Sequence, residues 1–241
     1  MDLFWWLLFL VGGYLFGSIS FARIVTKIVA PDTDLNSVVL EGSESEAPLK
    51  TVGATTASVK LGAKYGGIIG ILDIFKGFIP TLVVKLIFPD QYYFLFIGLG
   101  VVIGHIWPLY YKFRGGGGLS ATLGALLATN PLGILACVLI GFVIGMPIMK
   151  NIAVAVLSGP MLFIIWSAIF IQDWYITIFA VLFNIVLIVA VLPDVLPALK
   201  AKKEGKELDM YSTMDAIPMG KMMKKMMEKM GLSKDEEVES E

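Results

Sequence analysis

Long apolar runs alternate with short polar breaks along most of this chain. Apolar residues dominate about 3–29, 66–88, 92–112, 119–129, 131–149, 152–171 and 175–192. A helix rising 1.5 Å per residue needs about 20 such residues to cross a hydrocarbon core of about 30 Å. The pattern therefore predicts an all-α, polytopic membrane protein with about seven transmembrane helices, some of them short or broken. The stretch from Leu119 to Met149 is too long for one upright crossing, and Thr129-Asn130-Pro131 is expected to split it into a short helix and a fuller one. Pro193 and Pro197 are expected to mark the departure from the membrane. The first run has no basic leader and no small-residue cleavage site, so it is expected to be a retained transmembrane helix rather than a signal peptide.

Composition agrees. Of 241 residues, 57% are hydrophobic and 16% charged, against roughly a quarter charged in soluble domains, and the mean hydropathy is +0.81. Residues 200–241 carry 9 of the 19 Lys and Arg and 10 of the 20 Asp and Glu. The chain thus divides into a membrane body, 1–199, and a polar tail, 200–241. Cys137 is the only cysteine, which excludes an intramolecular disulfide and a cysteine metal cluster. No basic nucleic-acid footprint is present.

Basic residues set the expected orientation. Arg23, Lys27, Lys50, Lys60 and Lys64 follow the first run, Lys112 and Arg114 follow the third, Lys150 follows the fifth, and more lie in the tail. The breaks at 88–91, 129–130 and 171–174 have none. By the positive-inside rule the N-terminus lies outside and the C-terminus inside a plasma membrane. The loop at 50–65, the turn at 112–118 and the turn at 150–151 then share the cytoplasmic face, where converging polar elements suit a binding site.

Within that face, Arg114 is followed by Gly115-Gly116-Gly117-Gly118 directly ahead of a helix. Residues without side chains let backbone N–H groups approach an anion, and a helix start adds partial positive charge, so a phosphate or carboxylate is the expected ligand. Val52-Gly53-Ala54-Thr55-Thr56 reads as a second such turn, with Thr55 or Thr56 as N-cap of a short helix running to Leu61. Gly17-Ser18-Ile19-Ser20 interrupts the first run and serves either close packing or a polar cavity. Asp73 and Lys76, three apart on one helix, form either a structural salt bridge or part of a site. Lys85 is expected to snorkel. His105, the single histidine, has no Cys or His companions for a metal, and reads as a hydrogen-bonded residue or a base. In the tail, Met219, Met222, Met223, Met226, Met227 and Met230 recur at helical spacing within 218–231 among lysines. They predict an amphipathic helix for an anionic membrane surface or a protein partner, followed by an acidic end.

These runs carry a family resemblance over about residues 10–150. Gly17-Ser18-Ile19-Ser20, Val52-Gly53-Ala54-Thr55, Leu61-Gly62-Ala63-Lys64-Tyr65-Gly66, Leu72-Asp73-Ile74-Phe75-Lys76-Gly77, Gly104-His105-Ile106-Trp107-Pro108 and Phe113-Arg114-Gly115-Gly116 occur in order. Together they resemble the bacterial acyl-phosphate:glycerol-3-phosphate acyltransferases, membrane enzymes that begin phospholipid synthesis. The resemblance implies seven helices, an acyl-phosphate donor, glycerol 3-phosphate as acceptor, and no metal or other cofactor. It also implies phosphate binding at Ser18, Gly53, Thr55, Arg114, Gly115, Gly116 and Gly118, with Lys50, Lys60, Asp73, Lys76 and His105 in support.

The chain departs from the family pattern in several places. Gly117 stands where the family has a lysine, Val59 where it has an arginine, and Thr56 where it has an asparagine. Lys150-Asn151-Ile152-Ala153-Val154 replaces a Lys-Arg-Tyr-x-Ser motif, and Leu192-Pro193-Asp194 replaces a polar helix end. Three readings follow: an acyltransferase with a reorganised site, a catalytically silent relative that binds a lipid or phosphate headgroup as regulator or scaffold, and a transporter gated at 129–131.

Overall fold

The computed structural model describes residues 2–36, 51–149 and 151–203; Lys50, Lys150 and the Met-rich segment lie outside them. Every regular element among the described residues is helical. Among the described residues, six helical spans are long and apolar enough to cross a membrane, starting at Leu3, Ala63, Tyr93, Pro131, Val154 and Trp174, with Leu119–Thr129 as a shorter apolar helix.

The first run is one apolar stretch but two helices, α1 (Asp2–Gly17) and α2 (Phe21–Val29). The Ser18 hydroxyl donates to the Tyr14 carbonyl at 2.8 Å and Ser20 caps α2 by accepting from the Arg23 N–H. Hydroxyls that compete for backbone groups break the helix where hydropathy alone shows continuity. α3 (Ala54–Leu61) and α4 (Ala63–Ile87) meet at Gly62, whose φ of +90° only glycine holds without strain. α4 thus begins three residues before the apolar run, because a helix continues into polar sequence where hydropathy stops.

α5 (Tyr93–Ile106) is the central helix, with 11 of its 14 residues buried. Gly13 and Gly17 of α1 face it, as do its own Gly100 and Gly104 face α1. A Cβ at any of the four would collide with a backbone carbonyl of the other helix. Small residues spaced four apart on both helices let the two backbones touch, the usual way membrane helices associate without a hydrophobic driving force.

α6 (Leu119–Thr129) packs on α4 through Gly77 and Gly124 in the same manner. At about 16 Å it is half the thickness of a hydrocarbon core. α7 (Pro131–Val143) and α8 (Ile152–Trp166) each end in a π-helical turn, at Ile144–Ile148 and Ser167–Ile171.

α9 (Trp174–Lys203) continues as a helix through Pro193 and Pro197. A proline removes one N–H and crowds one turn, which a helix held by neighbours tolerates, as Pro80 and Pro160 do inside α4 and α8. The apolar span itself does end at Pro193. In the break at 171–174, which lacks Lys and Arg, Asp173 caps α9 by accepting the Tyr175 N–H and also accepts the Tyr92 hydroxyl at 2.7 Å.

Side chains are arranged for lipid. Leu3, Phe4, Leu7, Leu8 and Val11 of α1 are exposed, whereas Asp73, Lys76, Thr81, His105, Thr122 and Asn184 are buried. Polar groups inside and apolar groups outside is the distribution a hydrocarbon solvent selects.

Candidate functional site

The break between α1 and α2 creates the need that the rest of the site answers. A helix that ends inside the membrane leaves carbonyls without partners. Lys76 of α4 reaches across and donates to the Gly17 carbonyl at 3.1 Å and the Ile19 carbonyl at 2.8 Å. A cation at a helix C-terminus is favourable by charge as well as by hydrogen bonding. Its own charge is balanced by Asp73, one turn earlier, at 3.3 Å. His105 Nδ1 lies 3.4 Å from the same Asp73 oxygen. Asp73 and Lys76, open between salt bridge and site on sequence alone, are thus a salt bridge extended to a third residue and a helix end.

His105 links this cluster to the glycine turn. Its carbonyl accepts the Gly116 N–H at 3.0 Å, and its imidazole lies so close to Gly116 that a Cβ there would run into Nε2. The turn is pinned elsewhere too. Tyr14 donates to the Trp107 carbonyl at 3.0 Å, the Leu109 N–H donates to Ser18 Oγ at 3.2 Å, and the Val52 N–H donates to the Gly115 carbonyl. Lys112 and Phe113 take positive φ in turning the chain, and Gly118, with φ +84°, caps α6. A turn anchored at so many points is pre-organised, which is what anion binding by backbone groups requires.

The second expected anion turn adjoins it, for a Cβ at Gly53 would stand 3.3 Å from the Gly116 Cα. Its chemistry differs from the expectation. Neither Thr55 nor Thr56 is the N-cap of α3; Gly53 is. Thr56, fully buried, accepts the Gly53 N–H at 2.8 Å and donates to the Gly53 carbonyl at 2.9 Å. A threonine three residues into the helix can close this reciprocal bond, whereas Thr55 is exposed.

Of the residues expected at the site, Ser18, Gly53, Asp73, Lys76, His105, Gly115, Gly116 and Gly118 are buried and joined by these contacts, directly or through neighbours, while Thr55, Lys60 and Arg114 are exposed. Lys50 lies outside the described residues. Lys85, in the last turn of α4, donates to the Ala128 and Thr129 carbonyls at 3.1 and 2.6 Å, closing the C-terminal end of α6.

Sequence reading missed Arg23, valued there only as a topology marker. Its guanidinium donates to the Arg114 carbonyl at 3.2 Å and lies 4.9 Å from the centre of the Tyr111 ring. Arg23 and Lys27, spaced four apart just after a helix break, were the available signal.

Gly117 differs from its neighbours. A Cβ there would meet nothing within 4 Å, and its φ is not in the left-handed region. Gly117→Lys is therefore expected to fold normally and to strengthen phosphate binding about tenfold, the effect of one charge-assisted hydrogen bond. Equilibrium binding of labelled phosphate to both proteins in detergent checks it; equal affinity would mean that the turn no longer receives an anion.

The architecture and sequence have known counterparts. The family described as glycerol-3-phosphate acyltransferase matches residues 7–195. The glycerol-3-phosphate acyltransferase of Aquifex aeolicus is 38% identical over 126 residues, 52% of this chain and 60% of that protein. That of Halalkalibacterium halodurans is 36% identical over 145 residues, 59% of this chain and 63% of that protein. The chain thus spans about three fifths of the length of these curated relatives. Among solved structures, the glycerol 3-phosphate form of PlsY, an integral membrane glycerol 3-phosphate acyltransferase, superposes with a TM-score of 0.67 at 25% identity, over 84% of this chain and 94% of that one. Its lysophosphatidic acid form gives 0.64 at 22% identity, a likeness of fold.

Proposed function

The chain belongs to the glycerol-3-phosphate acyltransferase family, and from that premise we propose that it transfers an acyl group from an acyl phosphate to glycerol 3-phosphate, with a reorganised phosphate site. The acceptor hydroxyl oxygen attacks the acyl carbon, the bond from that carbon to the phosphate oxygen breaks, and inorganic phosphate departs with the electron pair. The hydroxyl proton leaves with that phosphate, and lysophosphatidic acid remains. Such a reaction asks the protein to hold two phosphates in register and to stabilise charge developing on the leaving one. The observation that carries the reading is the pinned glycine turn at the start of α6, braced from below by Asp73, Lys76 and His105 and adjoining the Gly53 turn.

The arrangement in the membrane follows. In the proposed arrangement α6 with its turn counts as a pass, for seven crossings with the N-terminus out and the C-terminus in, and the run of Lys and Arg at the loops flanking the site supports a site and a tail on the cytoplasmic side of the plasma membrane. The Met-rich segment at 218–231 is assigned to the anionic membrane surface. The absence of a lysine at Gly117 favours the silent, lipid-binding reading as the competitor.

One assay separates the two. Purified protein in detergent is given acyl phosphate and glycerol 3-phosphate. Formation of lysophosphatidic acid is expected, and Arg114→Ala, which removes the cation nearest the turn in sequence, is expected to lower the rate about tenfold or more. Saturable lipid binding without product would replace the enzyme by the silent relative.

A further inference from the structure

A second polar feature adjoins the glycine turn and meets it at Arg23. α2, the segment after it and Tyr111 enclose an open cleft of about 270 Å³. Its charged lining is Arg23 and Lys27 on one face of α2 and Asp34 opposite, and Thr26 and Asn36 add polar groups. Asp34 is engaged by its own loop, accepting the Asn36 N–H at 2.9 Å and the Asn36 side-chain amide at 2.7 Å. Among the described residues that line the cleft, two cations stand against one such carboxylate. Arg23 is also fixed in direction: it lies over Tyr111, donates to Asn36 Oδ1 at 3.0 Å and is bonded to the carbonyl of Arg114. Both hydrogen bonds leave from Nη2, and a guanidinium held at one nitrogen and against one ring loses little freedom when an anion arrives.

We propose that this cleft binds a phosphomonoester, with Arg23 and Lys27 as its cations and Asn36 as a neutral donor. A three-carbon phosphomonoester fits the volume, and the Arg23 contact to Arg114 sets the cleft beside the residue that leads into the glycine turn. On the acyltransferase reading, on which this part rests, the cleft holds the acceptor's phosphate while the turn takes the donor's. The two phosphates then have separate cradles, and the cations lost from the family pattern at 59 and 117 are replaced from α2. The same chemistry is offered by a soluble phosphomonoester and by a lipid headgroup, and the test distinguishes them.

Labelled glycerol 3-phosphate is titrated by equilibrium dialysis against the full-length protein in detergent, and lysophosphatidic acid is titrated in mixed micelles. Saturable binding of one or both is expected, weakened about tenfold in Arg23→Gln, partly restored in Arg23→Lys, and weakened severalfold in Lys27→Gln. Lys27 is exposed, so its replacement keeps the test valid if the Arg23 variants fail to fold. Binding of glycerol 3-phosphate assigns the cleft to the soluble acceptor, and binding of the lipid alone assigns it to a headgroup. Unchanged affinity in Lys27→Gln and in folded Arg23→Gln overturns the proposal, as does absence of binding to the wild type. Arg23-dependent binding without turnover would remove the acyltransferase reading and leave the site. Turnover with the KM for glycerol 3-phosphate unmoved in the variants would do the reverse.

Discussion

Lys76→Met is expected to destabilise the protein by about 3–5 kcal/mol, the cost of removing one partner from a buried ion pair. Asp73 is 2% and Lys76 3% exposed, so no water replaces what is lost. The substitution deprives Asp73 of its closest cation and also frees the carbonyls of Gly17 and Ile19, which lipid cannot satisfy. Thermal unfolding in detergent measures the loss. The double variant Asp73→Asn, Lys76→Met is expected to recover part of it, because no unpaired charge is then left inside. A single variant as stable as the wild type would mean that the cluster does not brace the helix break.

Gly116→Ala is expected to cost at least about a hundredfold in acyl transfer, the scale of a misplacement of about 1 Å in a site that works by positioning. The new methyl group would meet His105 Nε2, and either the imidazole leaves Asp73 or the turn moves away from α5. Gly117→Ala, one residue on and facing open space, is the matched control and is expected to keep the wild-type rate. Initial rates of lysophosphatidic acid formation by the two folded variants make the comparison; equal rates would show that the turn's exact placement is immaterial to turnover.

Membrane class, the short helix at 119–129 and the pairing of Asp73 with Lys76 were legible in the sequence, because each depends on local composition or on a spacing of three. The fate of the charges was not. Lys76 and Lys85 look alike in sequence, one beside an acid and one near an apolar end. What each does depends on where α1 and α6 stop, which is set across 43 to 59 residues of chain. Thr56 was placed at the N-cap although it is the third residue of the helix, for a similar reason: a threonine can bond the helix start from within the first turn as well as from ahead of it. The cap at Gly53 is visible only once the reciprocal bond is drawn. Pro193 was legible as the end of the apolar span, while the helix that runs on past it to Lys203 leaves no mark in hydropathy. Arg23 was passed over because positive-inside counting treats a cation as a topological token, which hides what its nitrogens touch.

The two lysines of α4 also bear on how the chain is made. Lys76 closes the end of a helix synthesised some sixty residues earlier, whereas Lys85 closes the end of one that has yet to emerge. Until residue 76 enters the bilayer, the carbonyls at Gly17 and Ile19 have to be served by water or by the insertion machinery. By the time Thr129 arrives, its partner is already in place. α4 therefore joins a segment synthesised before it to one synthesised after it.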